Sequence, residues 1–130
     1  NSDREKGIAQ YAANMRGIFE KVLSAGSEAI LLTPNTMCQY VHDGVKGEFL
    51  RKCAADCCVT QNEGVLARYV AAAREVAGSL NIPVADAHRR WEQMNRAGVD
   101  TTALLANGIN HPMPDLHELF VDELMRVVFE

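Results

Sequence analysis

The chain has 130 residues, the size of one compact domain, and its 48% apolar and 23% charged content excludes a disordered, collagen-like or coiled-coil polypeptide. Its 13 Lys and Arg against 17 Asp and Glu give a net charge of −4 with no dense basic cluster, which argues against a nucleic-acid surface or anchoring to acidic lipid. No run reaches the ~18–20 consecutive apolar residues of a membrane span, and residues 1–7 are too polar and charged to be a signal peptide.

In chain order, Ile8, Tyr11, Ala12, Met15, Ile18, Phe19, Val22 and Leu23 recur at three- and four-residue steps and predict an amphipathic helix. Ser2 with Glu5 has capping-box spacing, and Gly26 is placed as a left-handed stop. The apolar run 29–32, bounded by Gly26 and Pro34, reads as a strand buried on both faces. Residues 35–63 predict a loop region with one short helix around 48–58; a long connection beyond a strand's carboxyl end usually covers a site. Leu66, Tyr69, Val70, Ala73, Val76, Ala77 and Leu80 mark a second amphipathic helix. Residues 82–85 read as a strand weakened by Pro83, and 88–97 as a short helix around Trp91, stopped by Gly98. A loop over 99–113 turns at Asn107-Gly108. A last helix from near Pro114 carries Leu116, Leu119, Phe120, Leu124, Val127 and Val128 on one face, with Asp115 and Glu118 at capping-box spacing.

This alternation predicts an α/β fold with a parallel sheet between helical layers. Two strands are few for so much apolar helix surface. Either strands hide in the stretches read as loop, or the chain is the carboxyl-terminal part of a larger α/β domain.

Cys38, Cys53, Cys57 and Cys58 are the four cysteines. On a helix Cys53 and Cys57 share a face and would offer two thiolates to a metal, with Cys38 or His42 completing the set. The spacing lacks the paired CxxC of a zinc site, and a chain of this length needs no disulfide staples. Thiols packed as small apolar side chains are the preferred reading, ahead of a disulfide and of a metal site.

Ligands of open α/β sheets gather beyond the carboxyl ends of the strands, where Thr33-Pro34-Asn35 and Asp86-Ala87-His88 stand, together with the turn Asn107-Gly108-Ile109-Asn110-His111-Pro112. His111 is the strongest candidate: it lies off every apolar stripe, Pro112 stiffens its backbone, and imidazole exchanges protons near neutrality. The competing reading is a histidine that only wedges the turn. His42, His88 and His117 read as structural or exposed, Asp86 as a helix cap rather than a site residue, and Trp91 as core.

Residues 69–77 (YVAAAREVA), 82–91 (IPVADAHRRW) and above all 104–120 (LLANGINHPMPDLHELF) resemble the end of an SGNH (GDSL-type) hydrolase, a family of serine esterases and acylhydrolases. The segment from Tyr11 to Asn35 is similar to the helix and strand that follow the family's Gly-x-Asn block. The resemblance implies a flavodoxin-like α/β/α sandwich of which residues 1–130 are the carboxyl-terminal part. It also implies an acyl-serine intermediate, an acylated sugar or lipid as ester substrate, and no cofactor or metal. By position His111 matches the family's general base, and Asn1 its oxyanion-hole asparagine. The family's acid stands three residues before its histidine; here that place is Gly108, and the nearest polar neighbours are Asn107 and Asn110. The expectation is a Ser–His pair oriented by Asn107 or a backbone carbonyl, with Asp86, Asp100 or Asp115 as other sources of charge. None of Ser2, Ser24, Ser27 and Ser79 stands in a Gly-Asp-Ser setting. The nucleophile is therefore expected outside this chain, which alone is expected to be inactive. No nucleic-acid partner or membrane span is expected; an open sheet edge would favour a homo-oligomer. The alternatives are a non-catalytic α/β binding or assembly module and, behind it, a cysteine-based metal module.

Overall fold

The first apolar stripe forms α1 (Ser2–Ser24), which stops where Gly26 takes φ +78° and its N–H donates to Leu23 O at 2.9 Å. In this computed structural model, which describes residues 2–129, the elements that follow are β1 (Leu31–Leu32), α2 (Glu48–Asn62), α3 (Val65–Ser79), β2 (Val84–Ala85), α4 (Ala87–Arg96) and α5 (His117–Phe129). Single 3-10 turns lie at Thr102–Leu104 and Pro114–Leu116.

The protein is a mixed α/β chain, mostly helical, around a small parallel sheet. Leu31 pairs with Val84 and Leu32 with Ala85. Pro83 withholds a donor, yet its carbonyl accepts from Leu31 N at 3.0 Å, and Thr33 N donates to Ala85 O at 3.1 Å. Phe19, Leu31, Ala73, Val76, Ala77 and Ile82 form one core, joining α1 and α3 to the strands. Tyr11 and Tyr69 meet edge to face above it, 5.2 Å between centroids. A second core of Cys38, Val45, Ala54, Trp91, Leu105 and Ile109 lies among α2, α4 and the two long connections. Those connections therefore bury apolar side chains of their own.

Three expectations are corrected. The 29–32 strand is not buried on both faces: Leu31 is 6% exposed but Leu32 41%, because Leu32 lines an open cleft beside Leu66 and Tyr69. The short helix around 48–58 runs on to Asn62, so the irregular connection shrinks to 35–47; only Glu63 and Gly64, the latter at φ +70°, separate α2 from α3. The entrance to the last helix is not a capping box. Pro114 opens a 3-10 turn with no side-chain cap, and no residue of α5 is fully buried. Among the described residues no helix is long and apolar enough to cross a membrane.

The strand ends are tied by Asp86. Its carboxylate accepts from Arg74 Nε at 3.0 Å and Nη2 at 2.8 Å, from Thr33 Oγ1 at 2.9 Å and, as the cap of α4, from Arg89 N at 3.3 Å. Burial opposes ionisation of Asp86, but the Arg74 and Thr33 hydrogen bonds and the Arg74 charge outweigh it and hold the pKa below the ordinary 3.8. A lowered folded pKa gives stability that is complete above the unfolded value and is lost as the pH falls through the folded one. Asp86→Ala is expected to cost about 2–3 kcal/mol at neutral pH, and Asp86→Asn to flatten the fall in stability below pH ~4. Denaturant unfolding across pH checks both; an unchanged acid limb in Asp86→Asn would contradict the assignment.

Candidate functional site

The segment between α4 and α5 folds back on itself before the last helix. Ala106 N donates to His111 O at 2.7 Å, Met113 N to Leu104 O at 3.0 Å, and Leu105 bridges Pro112 in antiparallel fashion. At the tip one atom organises the backbone: Asn107 Oδ1 accepts from Ile109 N at 3.0 Å, Asn110 N at 2.9 Å and His111 N at 3.0 Å. Asparagine suits this role because its short amide bonds readily to nearby backbone N–H groups. Gly108 takes φ +67°, and a Cβ there would lie 2.8 Å from Val45 Cγ2. A side chain at this position, three residues before His111, would therefore be strained and would force Val45 to shift.

The turn is anchored from the β1 end. Asn35 Nδ2 donates to Asn110 O at 2.9 Å, and Cys38 N donates to Ile109 O at 2.8 Å. These two contacts bring the residues after β1 against the turn, a pairing that no local spacing reveals.

His111 is exposed and its ring is held by both flanking asparagines. Nδ1 lies 2.6 Å from Asn110 Oδ1 and 2.9 Å from Asn107 Nδ2. Three backbone donors fix the Asn107 amide with its oxygen toward the turn, so Nδ2 faces Asn110 Oδ1 at 3.0 Å and the ring. Asn110 Oδ1 then accepts from Asn107 Nδ2 and from a protonated His111 Nδ1. The alternative tautomer would set two lone pairs against each other at 2.6 Å. The shorter contact, to Asn110 Oδ1, favours the proton on Nδ1, although Nδ1–H then faces the Asn107 amide nitrogen, itself a donor, at 2.9 Å; that tautomer puts the lone pair on Nε2, for which no hydrogen bond is described. Beside the turn lies a cavity of about 490 Å³ lined by Asn107 and Gly108, the apolar side chains of Val45, Leu50, Leu105 and Met113, and His42 and Lys46.

The carboxylates proposed as sources of charge are committed elsewhere or unbonded to the ring. Asp86 serves Arg74 and Thr33, and Asp100 accepts from Tyr40 Oη at 2.6 Å. Asp115 makes no described hydrogen bond to His111. His42 Nδ1 accepts from Gly44 N at 2.9 Å, and His117 is exposed. His88 is wholly buried in the first turn of α4: its backbone N–H donates to Thr33 Oγ1 at 2.9 Å, its Nδ1 donates to Pro34 O at 3.1 Å, and its Nε2 has no described hydrogen-bond partner. Trp91 lies in the second core. Asn1 lies outside the described residues. Arg74 escaped the sequence reading altogether, and Asn35 was placed at the strand end without its partner. Arg74 sits on the polar side of a helical stripe, and Asn35 acts through a contact 75 residues away.

Among the described residues no three His, Cys, Asp or Glu side chains converge as a metal site, and the four cysteines are free thiols. No family model, curated protein or solved structure matches the chain.

Imidazole nitrogen NMR at a pH where the ring carries one proton is expected to find that proton on Nδ1, as the 2.6 Å contact to Asn110 Oδ1 favours. Asn110→Ala should shift it toward the Nε2–H form that free imidazole side chains favour. An Nε2–H ring in the unaltered protein would contradict the assignment.

Proposed function

We propose that the chain is the carboxyl-terminal part of an SGNH-type serine ester hydrolase with a flavodoxin-like three-layer sandwich, and that His111 is its general base. The observation that carries the reading is the exposed imidazole, its Nδ1 2.6 Å from Asn110 Oδ1 and its Nε2 with no described hydrogen bond, beside an apolar cleft. The resemblance over residues 104–120 supports it, as does the position of the segment after β1 against the same turn.

In this reading the nucleophilic serine comes from outside the chain. Nε2 of His111 takes the serine proton as the hydroxyl attacks the ester carbonyl. The resulting imidazolium returns that proton to the leaving alcohol, which yields an acyl-serine. Water then attacks the acyl group through the same base. Asn110 Oδ1 orients the ring by accepting from Nδ1, but an amide oxygen offsets imidazolium charge less than a carboxylate does. Val45, Leu50, Leu105 and Met113 suit an acyl chain, and the 42–50 segment forms one wall of its pocket. The substrate class is an acylated sugar or lipid.

A non-catalytic α/β binding module is the second reading. It is favoured by one observation: no described hydrogen bond joins any serine of the chain to His111, and Ser79 is bonded to Arg16 and to Val76 O.

In the full-length gene product, turnover of short-chain nitrophenyl esters is expected to fall ~10³–10⁴-fold in His111→Ala. Asn110→Asp, which sets a carboxylate against Nδ1, should raise it. Equal turnover by the unaltered protein and His111→Ala would overturn the catalytic role. No hydrolysis by either would favour the binding module.

A further inference from the structure

The cysteine cluster has no part in the proposed chemistry, yet two of its sulfurs are in contact. Cys38 Sγ lies 3.4 Å from Cys58 Sγ and 3.4 Å from Ala54 O, so the thiol of the connection after β1 rests on the inner face of α2. We infer that Cys38 and Cys58 form a site of reversible oxidation, at which a low-molecular-weight disulfide converts the two thiols to an intramolecular disulfide.

Geometry selects this pair from the four cysteines. The sulfurs need to approach by about 1.4 Å to reach the ~2.05 Å of a disulfide. Cys53 and Cys57 stand one turn apart on α2, where β-carbons lie ~5–6 Å apart, beyond the ~3.5–4.5 Å a disulfide spans. Cys57 and Cys58 are chain neighbours on one helix and point to different faces.

Exposure sets the order of events. Cys38 is wholly buried, whereas Cys58 is partly exposed. Burial, with the Cys58 contact, pushes the Cys38 thiol up to about 12, so it is a poor first nucleophile. Cys58 as thiolate attacks one sulfur of the small disulfide. That S–S bond breaks, and the departing thiolate takes up the proton Cys58 gave to solvent. Cys38 then loses its proton and attacks Cys58 Sγ, expelling the second small thiol. Two electrons and two protons pass from the protein to the small disulfide, which becomes two thiols.

The bond would close a loop of 20 residues and fasten α2 to the backbone that holds the turn, since Cys38 N donates to Ile109 O at 2.8 Å. The inference does not depend on the esterase reading.

The test incubates the folded protein with oxidised glutathione as probe and follows it by intact mass and peptide mapping. The unaltered protein is expected to lose two hydrogens with no retained adduct, to map a Cys38–Cys58 link, and to show a higher thermal midpoint that reductant reverses. Cys38→Ser is expected to trap one mixed disulfide on Cys58, and Cys58→Ser to form no link to Cys38. Circular dichroism confirms that each variant is folded, and if Cys38→Ser fails to fold, Cys38→Ala is the substitute. Adducts without an internal link in the unaltered protein, a link between any other pair, or no reaction while it is folded would each overturn the site.

Discussion

The arrangement around His111 depends on one oxygen. Asn107 Oδ1 gathers the N–H groups of residues 109, 110 and 111, and by doing so it decides three further things. It turns the backbone so that His111 leaves the apolar interior. It fixes the amide of Asn107 with its nitrogen toward the ring, because the oxygen is committed. Through that nitrogen it presents Asn110 Oδ1 to Nδ1 at 2.6 Å. Loss of one such acceptor would leave three donors seeking partners in a tip whose other main-chain contacts lie at Leu105, Ala106, Cys38 and Asn35.

Two polar constellations thus sit near the strand ends, and they divide the work. Arg74, Asp86, Thr33 and His88 form an interior network in which the carboxylate is neutralised by a bidentate guanidinium and also caps α4. That carboxylate holds the sheet to α3 and α4 and makes no described hydrogen bond to His111. The turn at 107–111 contains no Asp, Glu, Lys or Arg, and its hydrogen bonds run between amide groups and the ring of His111. At Gly108 the positive φ and the nearby Val45 methyl would strain any side chain.

Much of the fold was legible because periodic apolar patterns report burial directly. The stripes of α1 and α3, the stop at Gly26, the core position of Trp91 and the parallel pairing of the strands all rest on local spacing. The one-sided exposure of β1 was not legible, since four consecutive apolar residues look alike whether one face or two is covered. The extension of α2 was hidden by polar residues such as Thr60 and Gln61, which pack no core yet still propagate a helix. At the site, His111 and its two asparagines stand close in sequence, so their juxtaposition could be anticipated. Asn35, Cys38 and Arg74 act across long separations, which no spacing in a single chain encodes.

Amide hydrogen exchange, resolved residue by residue in the unaltered protein and in Asn107→Ala, tests most directly whether that carboxamide oxygen holds the turn. The amides of Ile109, Asn110 and His111 should be protected together in the first and released together in the second, while α1 and α3 keep their protection. Independent exchange of the three, or protection that survives removal of the carboxamide, would contradict it.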